Sequence, residues 1–256
     1  MIQTPNTIKA QQQLEKLSGY PIITTTLDEI ADRLGDNHIR TYLGVYFFDG
    51  QHHVIGINSN KPETNESSFV HECIHGILNY EGYPTVKYAK SYLPQGDKGV
   101  IERLRDNLQS AIQHPAVYYR MSSDYTLDMD AYYSSLLHQK TNRLSKKPRI
   151  FQSEFEKVLI DQQDIIDGHE YFYYDIKTQS EILKLFESES YNAYKTLVEF
   201  QNYRYDFISL NNCKDSSNKL LSCLKEFGEK HLGSRELTNR FWNRMYIDQA
   251  EKSTKF

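Results

Sequence analysis

The chain has 256 residues, 39% hydrophobic and 25% charged, enough to bury the core of one large domain or two small ones. Its 30 basic and 34 acidic residues give a formal charge of -4, and neither half carries a basic surplus, which argues against nucleic acid as a partner. Few glycines and prolines beside 20 tyrosines and 12 phenylalanines predict a helical majority with aromatic packing, not a turn-rich sandwich.

In chain order, Thr7 to Leu17 and Thr26 to Leu34 have helical spacing, the second with Thr26 as N-cap, Glu29 three residues later and Gly35 as its stop. Next, T-Y-L-G-V-Y-F-F and Q-H-H-V-I-G-I-N flank Asp49-Gly50, the pattern of a hairpin with a two-residue type I′ turn. A polar stretch then leads into a helix from about Asn65 to Tyr80, stopped near Gly82. A loop with Pro84, Pro94 and Gly96 follows, then a helix from about Gly99 to Gln113 and shorter helical pieces to Leu144. The basic L-S-K-K-P-R, Leu144 to Arg149, is the expected boundary between residues 1-145 and 146-256. Beyond it, Phe151 to Ile166, Gln179 to Tyr203, Ser216 to Lys230 and Ser234 to Glu251 read as a separable helical bundle.

The N-terminus lacks the basic-then-apolar layout of a signal peptide, and no apolar run approaches the ~18 residues that span a bilayer. Cys73, Cys213 and Cys223 are odd in number and show no paired metal-ligand spacing. A cytoplasmic protein that does not engage membranes is expected.

The chemistry lies in F-V-H-E-C-I-H-G-I-L, Phe69 to Leu78. On a helix His71 and His75 stand one above the other, so both rings can reach one zinc ion. Glu72 points about 100° further round, beside the ion and not on it, where it can act as general base toward a water acidified by the metal. Nine histidines in 256 residues make a chance H-E-x-x-H rare, roughly 2%, so zinc is preferred over a coincidental pair. Round the wheel, Val70, Cys73, Ile74 and Ile77 form an apolar face bordered by both histidines, while Glu72 lies beyond them near Ser68 and Asn79.

The run H-V-I-G-I-N, a short polar loop and S-F-V-H-E-C-I-H-G-I-L resembles the corresponding pattern of zincin metallopeptidases of the IrrE/ImmA type, over about Gly44 to Leu78. The resemblance implies an α+β fold: a zincin-like domain with a small antiparallel sheet beside the motif helix, followed here by a helical C-terminal region. It also implies an edge strand that holds a substrate peptide in extended form and a glutamate on the next helix as third ligand, for which Glu102 and Asp106 are the candidates.

The pattern of that next helix points elsewhere. Val100, Ile101, Leu104, Leu108, Ala111 and Ile112 define its apolar face; Glu102 and Asp106 lie nearly opposite, whereas Asn107 and His114 lie on one border. His114 is therefore preferred over Glu102, then Asp106, with Glu81 a weaker choice. Tyr118, Tyr119 and Arg120 follow closely and could stabilise an oxyanion. The expected function is a zinc-dependent endopeptidase acting on a protein or peptide, and the alternative is a zincin-like scaffold that binds or regulates without proteolysis.

Overall fold

The structure, a computed structural model, describes residues 3–89, 98–144, 154–170, 176–201, 205–232 and 240–249. Its contacts group the chain into two units, neither continuous in sequence: Met1–Gly82 with Val117–Ser135 and Ala250–Phe256, and Tyr83–Ala116 with Leu136–Gln249. The expected division at 145/146 falls outside the described residues, and the grouping does not follow it.

In the first unit, Thr4 caps α1 (Pro5–Ser18) through the Thr7 amide, and Gly19 closes the helix at φ 76°. The β-branched I-I-T-T-T forms β1 (Ile22–Thr26). Thr26 then caps α2 (Leu27–Leu34) in a reciprocal box with Glu29, and Gly35 ends it, as their spacing predicts.

Strands β2 (Gly44–Phe48) and β3 (His53–Ile57) are antiparallel, with Phe48 opposite His53. Their turn has four residues, not the two expected: Asp49 Oδ1 accepts from the Gln51 and His52 amides at 2.8 and 2.7 Å, with Gly50 at φ 98°. The carboxylate takes up amides that a two-residue turn would have left to the ladder. Strand β1 pairs in parallel with β3, giving the order β1-β3-β2, so the sheet is mixed where an antiparallel one was expected.

Helix α3 (Asn65–Glu81), closed by Gly82 at φ 89°, packs on α1, β2 and β3. Gly76 permits this. A Cβ there would stand 2.8 Å from Leu14 Cδ2 and 3.1 Å from Tyr46 Cζ, so α1 and β2 close on the helix one residue past His75.

The second unit holds β4 (Pro84–Tyr88), antiparallel to β5 (Met245–Gln249). Pro84, expected in a loop, opens a strand, a position where its missing N–H is tolerated. Met245 to Gln249 was expected to be helical and is extended; residues 234–239, 250 and 251 of that expected helix lie outside the described residues.

Helix α4 (Lys98–Ser123) runs well past the expected end at Gln113, with Pro115 inside it. It begins in the second unit and its last residues belong to the first. Helices α5 (Asp130–Leu144), α6 (Glu154–Glu170), α7 (Ile176–Glu189), α8 (Tyr191–Gln201) and α9 (Leu210–Leu232) follow. The expected Gln179 to Tyr203 helix is thus two helices, and α6 packs on α7, α8 and α9. Gly168 sets one crossing: a Cβ there would lie 2.2 Å from Leu197 Cδ1 of α8.

Candidate metal centre

Helix α3 brings His75 Nε2 to 3.0 Å from His71 Nε2, the outcome of four-residue spacing on an unbroken helix. From Ser67 to Leu78 every residue of α3 is buried except His75. The expected polar side of the helix is therefore covered, and Glu72 is only 8% exposed.

Two tyrosines fix His71. The Tyr132 hydroxyl of α5 lies 3.0 Å from its Nδ1. If the ring donates there, Nε2 keeps its lone pair for an ion. The Tyr118 ring of α4 packs tilted on the His71 ring at 5.7 Å. Tyr118 is one helical turn beyond His114 on the same helix face. Ring nitrogens of His71, His75 and His114 all lie within 4.8 Å of one another.

Three imidazoles so placed can hold a metal ion. A tetrahedral ion at about 2.0–2.1 Å from each nitrogen needs them roughly 3.4 Å apart, a small adjustment from 3.0 Å between His71 and His75. Imidazole donors suit zinc, copper, iron or nickel better than magnesium or calcium.

Glu72 is not one of the converging groups. Its carboxylate rests against the backbone of β2, where a Cβ on Gly44 would stand 2.7 Å from Oε1 and 2.9 Å from Cγ. Burial pushes its pKa up to about 8; a nearby dication would pull it back down.

The other sequence candidates are engaged elsewhere. Glu81 pairs with Arg120 at 2.5 Å, Glu102 accepts from the Tyr88 hydroxyl at 3.1 Å, and exposed Asp106 pairs with Arg105 at 2.5 Å. Arg120 is thus committed to Glu81, and Tyr119 is 53% exposed. His53 is buried with the Tyr46 hydroxyl 3.1 Å from Nδ1, while His52 sits in the turn beside Asp49. His138 contacts Asn142. His169 is buried at the end of α6. The side chain of His231 lies outside the described residues.

Sequence reasoning missed three contributors: Tyr132, the glycine that admits Glu72, and Glu170, whose Oε2 lies 2.9 Å from His114 Nδ1. Gly44 carried a signal, since glycine weakens a strand and marks close approach.

No protein family, no curated protein and no solved structure matches the chain. Its function is therefore argued from the chemistry of the site.

Proposed function

We propose that the chain is a zinc-dependent endopeptidase of the zincin class, with His71, His75 and His114 as the zinc ligands and Glu72 as general base. One observation carries this reading: three ring nitrogens converge while the carboxylate next to His71 is buried beside them and kept out of the set. A purely structural ion has no use for a buried, unliganded base. Zinc, when bound, lowers the pKa of a water and polarises a peptide carbonyl.

The remaining steps belong to the protein. Glu72 takes the proton of the attacking water and passes it to the leaving amine. Burial suits a group that must hold a proton near neutral pH. β2 is an outer strand of its sheet, and its backbone at Gly44 adjoins Glu72, so a peptide laid along it in extended form would bring a carbonyl to the base. A histidine in the third position replaces the glutamate of the IrrE/ImmA pattern.

The test is metal content combined with peptide hydrolysis. About one zinc per chain is expected, lost in His71→Ala and His75→Ala when a chelator competes. Glu72→Gln should keep its zinc and lose hydrolysis. A zinc-free protein from a zinc-replete preparation, or unchanged cleavage by Glu72→Gln, would sink the reading.

A further inference from the structure

Two helices of the second unit carry matched polar pairs. Asn107 Nδ2 of α4 donates to Gln163 Oε1 of α6 at 2.6 Å, and His114 Nδ1 of α4 lies 2.9 Å from Glu170 Oε2 of α6. Both helices advance seven residues between the pairs, so they run in the same direction along a seam about 10.5 Å long. Gln163 Nε2 also donates to Asp167 Oδ1 at 2.8 Å, tying the first pair to the next turn of α6.

Pro115 shapes the end of this seam. Without an N–H it leaves the Ala111 carbonyl, four residues back, with no helical donor. His169 of α6 lies against that turn and interacts with the Ala111 backbone. The dipeptide His169–Glu170 of α6 thus lies against this turn of α4, with Glu170 Oε2 facing His114 Nδ1.

We infer that Glu170 is a positioning residue of the metal centre: its carboxylate holds Nδ1 of His114, fixes the ring's tautomer and direction, and leaves Nε2 as the donor to the ion. The inference rests on the zinc reading above and extends it to a residue on another helix. Glu170 is buried, with a side chain only 7% exposed. A carboxylate so placed needs a partner, and His114 serves as one. A ligand histidine anchored through its second nitrogen binds metal more tightly, because its ring is already aimed and its donor is more basic.

A double-mutant cycle on the full-length chain tests this. Zinc affinity is measured by calorimetry in wild type, Glu170→Gln, His114→Ala and the double variant, with the fold of each zinc-free protein checked by circular dichroism. Glu170→Gln should weaken zinc by about 10- to 100-fold. On the His114→Ala background the same change should alter affinity less than about twofold, since no ligand remains for Glu170 to position. If Glu170→Gln does not fold, Glu170→Asp, which keeps the charge but shortens the reach, enters the same cycle with the same sign expected. Wild-type affinity in Glu170→Gln, or equal losses on both backgrounds, would overturn the inference while leaving the zinc reading intact. A wild-type chain that takes up no zinc would instead remove the reading beneath it.

Discussion

A methyl group on Gly44 would stand 2.7 Å from Glu72 Oε1, so the strand and the carboxylate contest one small volume. Gly44→Ala should push Glu72 away from its present position without touching a zinc ligand. Displacement of a base by about 1 Å can cost roughly 100-fold in rate, and overpacking a buried site costs about 1–3 kcal/mol in stability. The expected result is a folded, zinc-loaded protein with hydrolysis reduced by about two orders of magnitude, measured on a peptide substrate beside metal content; undiminished turnover would show that Glu72 tolerates the shift. At this scale the sequence was legible where one helix sets the geometry, as for His71, Glu72 and His75. His114 could be read from its place on the border of an apolar face. Tyr132 and Glu170 could not, because each reaches its histidine across tertiary contacts. On α6, Gln163, Asp167 and Glu170 recur as a polar stripe that local spacing cannot tell from a solvated face.

Elements were legible where their ends carry chemistry, as with Thr26, Glu29 and Gly35 around α2, and illegible where the partner is distant. β1 finds its neighbour in β3 and β4 finds its own in β5, 163 residues apart in the Thr85–Asp248 pair. Helix α4 runs through Pro115, and His169 of α6 packs against that turn, interacting with the Ala111 backbone. Burial depresses the pKa of His169 to about 3, against its ordinary 6.5. Below pH 6.5 the unfolded chain therefore takes up a proton that the folded chain refuses. This contribution to stability is complete above pH 6.5 and is lost as pH falls toward 3, at up to about 1.4 kcal/mol per pH unit. His169→Leu removes the titrating group and puts an apolar side chain in its buried place, so the stability difference from wild type should depend on pH. Urea unfolding of the zinc-free proteins should show wild type losing stability relative to the variant between pH 6.5 and 5, since the variant lacks the titrating group; a pH-independent difference would mean that His169 is not held neutral.

For the whole molecule, the charge-balanced sequence after Arg149 reads as a bundle that could be cut away, yet its partners lie on both sides of that point. β5 completes the two-stranded sheet with β4. On α6, Gln163 and Glu170 meet Asn107 and His114 of α4, and Gln162 Nε2 donates to the Leu224 carbonyl of α9 at 2.9 Å, linking this seam to the rest of the bundle. A fragment ending at residue 145 would leave β4 without its neighbour β5 and His114 without Glu170. Two-stranded pairing is marginal even when complete, and buried polar groups stripped of partners cost about 1–3 kcal/mol each. Residues 1–145 expressed alone should therefore lack a cooperative unfolding transition and bind zinc weakly. Mixed with residues 146–256, they should recover both properties and elute as one complex in size-exclusion chromatography. A fragment 1–145 that unfolds cooperatively and binds zinc as tightly as the full chain would show that the polar seam between α4 and α6 is dispensable and that the boundary read from the sequence separates independent domains.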